Sequence, residues 1–341
     1  LSDLLLITEK EVWEGFPVLQ DNGLFLQSFH QAQLYKDLGQ KTWLFECVQS
    51  NGVRVRSLVT KVEARRGVFL FLPYGPMVDG ELCLANLEGF FSVLKDFARQ
   101  ERAAFIRMSP FWQDTVDRRE LLQGCGFRKA PLHMLAETLW LLELNKSEEH
   151  LLSEMDKKHR NLIRRAEKEG VSLTMTADSQ ATERFITMHW QTVERHGFTP
   201  YTKDYFRQQV QQFAPDNQVI VAEAWWQGEL LASAIVMFYG NVAAYHHGAS
   251  SSQPEHRKMP ASYLLQWEII REAMRRGCHS YNFWGIAPSE DSKHPFYGIT
   301  HFKTGFGGYR YDLVPAHDLV IHPKYYLNWT VEKLRKWKRG F

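Results

Sequence analysis

The sequence predicts an α+β protein built from two tandem domains of like architecture. Three observations carry that reading. The chain has 341 residues, long for a single hydrophobic core. A meander of antiparallel strands followed by one helix and one further strand is written twice, in the same order. Corresponding elements of the two copies lie about 175 residues apart, far beyond the period of a solenoid repeat.

In the first copy, residues 26–40 (LQSFHQAQLYKDLGQ) have helical spacing, with Ser28 as N-cap and Gly39 as stop. Lys36 lies near the C-terminal end, where a cation complements the helix dipole. Residues 43–49 alternate as a strand, Asn51-Gly52 is a hairpin turn, and 53–63 returns. A strand over 68–72 runs into the rigid loop Pro73-Tyr74-Gly75-Pro76. Leu84, Leu87, Phe91, Leu94 and Phe97-Ala98 set a helix over 84–100, and 103–108 is a further strand.

In the second copy, strands over 217–226 and 229–239 flank the turn Gln227-Gly228. A third strand, 241–247, runs into Gly248. A helix over 261–276 sits between Pro260 and Gly277, and 279–284 is the next strand. Residues 309–321 add closing strands and 324–338 a terminal helix. The expected domains are 1–149 and 150–318, with 319–341 packing back on the first. This order of elements suits an acyl-CoA N-acetyltransferase-like (GNAT-like) domain, used twice.

A net charge of +2 does not mark a wholesale nucleic-acid binder. No apolar run reaches the length of a membrane span and no signal-peptide pattern opens the chain, so a cytoplasmic protein is expected. Cys47, Cys83, Cys125 and Cys278 are widely spread without a CxxC and read as small buried hydrophobes in a reducing compartment. The fourteen histidines include no HExxH, and His246-His247, as neighbours on a strand, are expected on opposite faces. Neither a metal site nor a cofactor is expected.

Two segments are locally basic. Residues 145–170 read as one helical stretch carrying Lys157, Lys158, Arg160, Arg164, Arg165 and Lys168; this is either a solvated face or a surface for RNA phosphates. In the terminal helix Leu327, Val331 and Leu334 are expected to dock. Its Lys333, Arg335, Lys336, Lys338 and Arg339 interleave with Trp329 and Trp337, a mix that suits RNA, an anionic membrane surface or plain packing.

The chain is organised around residues 281–308, YNFWGIAPSEDSKHPFYGITHFKTGFGG. A short apolar strand breaks at Gly285, a polar loop follows, and the run His301-Phe302-Lys303-Thr304-Gly305-Phe306-Gly307-Gly308 closes the stretch. Three glycines in four positions let the backbone approach a ligand or adopt positive φ, and Lys303 can project its ammonium there. The plainer alternative is a Gly-rich loop with a surface lysine. A coenzyme-A site would need a Gly-rich turn feeding a helix N-terminus. Residues 257–262 read Arg-Lys-Met-Pro-Ala-Ser, with Pro260, which lacks an amide hydrogen, in the first glycine's place. The first copy offers only Gly80-Glu81-Leu82-Cys83. The expectation is an acyl donor without that diphosphate.

Residues 157–170, 196–206, 263–277 and 281–308 together resemble the FemABX peptidyltransferases, as do Gln27-Ser28 with Lys36 and the 73–76 loop. The resemblance covers most of the chain. It implies two GNAT-like domains that move an amino acid from aminoacyl-tRNA to the stem-peptide amine of a peptidoglycan precursor, UDP-MurNAc-pentapeptide or lipid II; peripheral contact with the inner membrane surface is one of the options the terminal helix leaves open. Phe213 leads almost directly to the strand at Val219, leaving no room for the coiled-coil arm of longer members, so the short FemX-like type is implied. Phe302 and Lys303 match the transfer-site pair, and Lys36 a diphosphate contact. Tyr74 falls in a first-domain motif, Thr199 and Tyr205 match acceptor-site residues, and Tyr245 a pocket tyrosine. Lys157, Arg160, Arg164 and Arg165 would contact tRNA. Tyr201 stands where short members place an arginine and cannot make a bidentate grip on phosphate. Lys203 and Arg207 are the nearby replacements, and lipid II becomes a serious option. In the implied reaction an amine attacks an ester already activated, and a cation at Lys303 stabilises the oxyanion. The rival readings are a coenzyme-A N-acetyltransferase, a non-catalytic binding module, and transfer to another amine.

Overall fold

The Asn51-Gly52 turn, with Gly52 at φ 86°, folds Thr42–Val48 back on Arg54–Ala64 and starts the first of two sheets. The computed structural model describes residues 3–64, 67–196 and 200–339. It divides into one unit of Leu1–Gln20, Leu24–Glu137 and Asp312–Phe341, and a second of Asp21–Gly23 and Thr138–Tyr311. The division falls at 137/138, where a boundary at 149/150 was expected, because Thr138–Glu143 pairs with Ser280–Gly285 inside the second sheet. Asp312 onward returns to the first unit through His317–Val320, which pairs with Phe105–Pro110.

The first unit holds an eight-stranded sheet in the order Leu5–Leu6, Thr42–Val48, Arg54–Ala64, Gly67–Tyr74, Phe105–Pro110, His317–Val320, Arg128–Lys129, with Met77–Asp79 also on Arg54–Ala64. Gly67–Tyr74 and Phe105–Pro110 run parallel, joined through helix Leu84–Gln100. That helix buries Leu87, Phe90, Phe91, Leu94 and Ala98 on one stripe against Val55, Leu70, Leu72, Ile106 and Met108.

The second unit holds seven strands in the order Tyr309–Asp312, Thr138–Glu143, Ser280–Gly285, Val242–Ser250, Glu229–Tyr239, Val219–Trp226, Ser172–Thr176. Helix Ala261–Arg275 buries Leu264, Leu265, Trp267, Ile269, Ile270 and Ala273. Facing it in the same core, Ala222, Ala224, Ala234 and Ala243 leave room for these side chains, while Phe238, Tyr281 and Phe283 fill the rest from the strands.

Three elements differ from the sequence reading. The 145–170 stretch is two helices, Glu148–Glu154 and Lys157–Lys168, parted where Met155 takes an extended backbone. The run expected as a loop before Gly305 is the helix Tyr297–Thr304. The terminal helix Tyr325–Arg339 docks through Tyr325, Asn328 and Glu332, whereas Leu327 and Leu334 are exposed. The anchor is ionic: buried Arg107 forks onto Asp318 (2.7 and 2.8 Å) and reaches Glu332 (2.8 and 3.2 Å). A buried arginine facing two carboxylates outweighs the aliphatic pattern that a helical wheel suggests.

Candidate active site

In the second unit the two parallel strands pair only at Val242–Ser280, Ala243–Tyr281 and Ala244–Asn282. Beyond those residues they part and leave a wedge. One wall ends at Trp284, a non-glycine residue at φ 68°, whose amide donates to Asn282 Oδ1 (2.8 Å). Such a conformation persists only where its surroundings over-determine it, and it clusters at functional sites. The next residue, Gly285, turns its carbonyl to Lys303, whose Nζ donates to it at 2.6 Å. Thr300 fastens the lysine's helix to this strand end, accepting from the Ala287 amide (2.9 Å) and donating to the Phe296 carbonyl (2.8 Å).

Lys303 is 4% exposed. No carboxylate among the described residues lies within ion-pair distance of it, and burial alone pushes its ammonium down to about 7. Of its three N–H groups the Gly285 carbonyl takes one. The arrangement is a cation in a low-dielectric site with hydrogen-bonding capacity left for a guest, the form needed to meet an oxyanion.

Of the three glycines, Gly307 and Gly308 take the expected positive φ, at 85° and 98°. Gly305 has ordinary helical φ, and a Cβ there would strike the His159 ring at 2.0 Å. A Cβ at Gly308, φ 98°, would meet the Leu141 carbonyl at 2.2 Å. The close approach is to the unit's own core, and it sets the lysine's helix in place. His159 Nε2 meets the Phe302 carbonyl at 3.0 Å, and the Phe302 ring lies edge-on to Tyr263 (5.2 Å) and Phe306 (5.4 Å). Phe302 is thus a packing residue beside the lysine.

The other wall is aromatic. Opposite Ile235 and Val236 stand His247 and Tyr245, so His246 is an extra, bulged residue. The bulge brings the rings of His246 and His247 side by side at 3.8 Å, correcting the expectation of opposite faces. Trp284 lies edge-on to His246 (4.7 Å), and Gln209 Nε2 meets its Nδ1 at 3.1 Å. Tyr201 stacks on buried Tyr205 at 4.2 Å and stands 5.5 Å from His247. Tyr201 itself is 43% exposed, so it offers a ring at the rim. Burial holds these imidazoles neutral, His246 at about 3, and likewise His189 of helix Ser179–His196, 6.4 Å from His247, at about 4. Tyr245 packs in the core cluster with Tyr263 and Phe302, its phenol pushed up to about 12 by burial.

The remaining sequence candidates scatter. Thr199 lies outside the described residues. The Arg207 guanidinium is taken by Glu183 (2.5 and 2.9 Å) and Asp204 (2.8 Å), which raise its pKa, so it is not free to replace the missing arginine. Lys203 Nζ sits 5.4 Å over the Trp190 ring. In the first unit, Lys36 is exposed in the last turn of helix Phe29–Asp37. Tyr74 is buried at φ 58° with its hydroxyl donating to Ala136, a brace and not an exposed contact; Gln27 braces the same loop through Pro73 and Leu58.

Of the basic helix, Lys157 and Arg164 are exposed, whereas Arg160 is spent on the carbonyls of Leu152, Ser153 and Met155 at the preceding helix end. Arg165 pairs with Glu169 (2.5 Å) and lines a cleft of about 700 Å³ at the start of helix Ala261–Arg275. Ser250, Ser251, His256, Lys258 and Ser262 also line it. Sequence reasoning names His246-His247 and Gly285 but gives them no place in the site and passes over Trp284, since a bulge and a left-handed tryptophan have no signature in a single sequence.

Comparison with known proteins agrees with this geometry. An acetyltransferase (GNAT) domain model matches residues 153–304, and a FemAB family model matches 7–121. Lipid II:glycine glycyltransferase of Staphylococcus epidermidis is 34% identical over 112 residues, 32% of this chain and 25% of the relative. The Staphylococcus aureus protein of that name is 31% identical over 102 residues, 29% of this chain and 23% of the relative. The match thus spans about a quarter of these relatives' length. A solved structure of FemX superposes with a TM-score of 0.81 at 18% identity, covering 97% of this chain and 100% of that one. A tandem GNAT protein from the clavulanic acid pathway gives 0.55 at 12%, covering 95% and 99%. The doubled α+β order is thus the fold of FemX, residues 7–121 match the FemAB family and residues 153–304 a GNAT domain.

Proposed function

We propose that the chain is an aminoacyltransferase that moves an amino acid from aminoacyl-tRNA to the stem-peptide amine of a peptidoglycan precursor at the cytoplasmic face of the membrane. The observation that carries the proposal is the buried Lys303 ammonium, set by Gly285 at the open end of the wedge. The curated relatives are named for glycine transfer to lipid II, and this makes lipid II the favoured acceptor and glycine the first donor to test. Tyr201 supports the same choice over UDP-MurNAc-pentapeptide, because a neutral rim ring and an Arg207 already bound to carboxylates offer no fork for a diphosphate.

An aminoacyl ester needs no covalent enzyme intermediate. The acceptor amine attacks the ester carbonyl, negative charge gathers on its oxygen, and the lysine ammonium receives it; one such donor is typically worth about 3 kcal/mol. The C–O bond to the ribose then breaks, the ribose oxygen takes the proton shed by the amine, and an amide remains. The Arg165-lined cleft, with Lys258 and Ser262, suits a donor carrying phosphodiesters.

The test is incubation with glycyl-tRNA and, in parallel, lipid II and UDP-MurNAc-pentapeptide, with mass analysis of the products. Glycine added to lipid II is the expected result. No transfer to either acceptor from any charged tRNA, together with a saturable thermal shift by acetyl-CoA, would replace the proposal with the coenzyme-A reading.

A further inference from the structure

The terminal helix Tyr325–Arg339 is turned inside out relative to an ordinary surface helix. Its polar residues face the protein: Tyr325 is fully buried and donates to Asp318 Oδ2 (3.1 Å), and Asn328 donates to Glu332 Oε1 (2.9 Å). Glu332, in turn, is held by Arg107. Its large apolar residues face out. Leu327 is 64% exposed, Leu334 60% and Trp337 85%, with Tyr326 half exposed beside them. At about 100° per residue these four positions fall within an arc of roughly 100° on the side opposite the anchor.

The exposed charges of the helix and of the edge strand beside it have one sign. Lys324, Lys333, Arg335 and Lys336 are exposed. Lys333 Nζ stands 4.3 Å over the Trp329 ring. Arg128, from the edge strand, lies 5.6 Å over the Tyr326 ring, with Lys129 exposed next to it. The helix has a single acidic residue, Glu332, and the Arg107 contact removes it from the outer face. An apolar arc on a helix whose exposed charges are all cationic, beside a basic edge strand, matches the boundary between acyl chains and anionic headgroups. Two leucines have no base to stack on, which sets this face apart from an RNA platform.

We propose that this face of the terminal helix lies in the interface of an anionic bilayer, with Leu327, Leu334 and Trp337 below the headgroups and the cations on lipid phosphates. Tyr325, Asn328 and Glu332 keep the helix fixed to the first unit, so the apolar face is presented ready-made. The proposal stands on this helix and does not depend on the transfer reading.

Co-sedimentation with phosphatidylglycerol vesicles, without tRNA or acceptor, tests it. The protein is expected to sediment with them, to lose that binding at high salt, and to ignore phosphatidylcholine vesicles. The triple variant Leu327→Ser, Leu334→Ser, Trp337→Ser changes only exposed side chains and should bind at least tenfold more weakly. Arg335→Glu with Lys336→Glu should weaken binding by a similar factor, from about fivefold per charge. Equal sedimentation of the triple variant and the parent, or none by the parent, would overturn the proposal. So would single-stranded RNA binding that the same substitutions abolish while vesicle binding persists. Vesicle binding alongside transfer to the soluble precursor alone would leave this proposal standing and remove lipid II as the acceptor.

Discussion

Replacing Lys303 with methionine keeps the length and apolar body of the side chain and removes the ammonium. The variant should be more stable and nearly inactive. The folded-state pKa of about 7 lies below the ordinary 10.5, a difference of about 5 kcal/mol between charged and neutral forms. Because it is depressed, the stability tied to this group is fully present above pH 10.5 and is lost as pH falls through 7. At pH 7 the wild type should therefore carry a cost of about 4 kcal/mol. Methionine relieves that cost but orphans the Gly285 carbonyl, which takes back about 1–3 kcal/mol. A net gain of about 1–3 kcal/mol at pH 7 is expected in urea denaturation, shrinking and then reversing as pH rises toward 10.5 because the orphaned carbonyl remains. Transfer in the same preparation should fall by 10²- to 10³-fold, the scale of a lost oxyanion donor. Equal or lower stability at pH 7, with the wild-type pH dependence unchanged, would show that the ammonium is solvated and would refute the placement. Near-normal turnover would remove it from the chemistry.

Three further outcomes follow from the geometry. Gly305→Ala puts a methyl into the His159 ring and should cost roughly 1–3 kcal/mol by overpacking, with His159→Ala restoring part of the loss in the double variant. Buried neutral His189 and His246 have pKa values far below 6.5, so the stability tied to them is present above pH 6.5 and lost as pH falls; each should remove about 2 kcal/mol between pH 6.5 and 5. Their double glutamine variant should flatten that acid limb in denaturation. Arg164→Glu with Arg165→Glu should weaken aminoacyl-tRNA binding and reduce its dependence on salt, measured by filter binding; an unchanged salt slope would return the helix to a solvated face.

Local rules reached far into this chain where the interaction they describe is local. The Asn51-Gly52 hairpin, the 84–100 helix and the helix starting after Pro260 sit where spacing and turn chemistry put them. Lys303 is legible as a candidate, and Gly307 and Gly308 take the positive φ expected of them. The glycines after it admit His159 and Leu141 and do not open a path for a ligand. What makes the lysine unusual is burial without a carboxylate, which depends on elements 18 or more residues away, the Gly285 carbonyl among them.

The same distinction explains the terminal helix. A helical wheel assigns Leu327, Val331 and Leu334 to the core because it scores apolarity along one element and has no knowledge of Arg107, which sits 225 residues before Glu332. Once that guanidinium is buried it must face carboxylates. The helix accordingly rotates its glutamate inward and its leucines out. A long-range ionic demand thus decides which face of a local pattern meets solvent. The leucines it turns outward are the residues from which membrane contact is argued, so Glu332→Ala should loosen the anchor and weaken vesicle binding together.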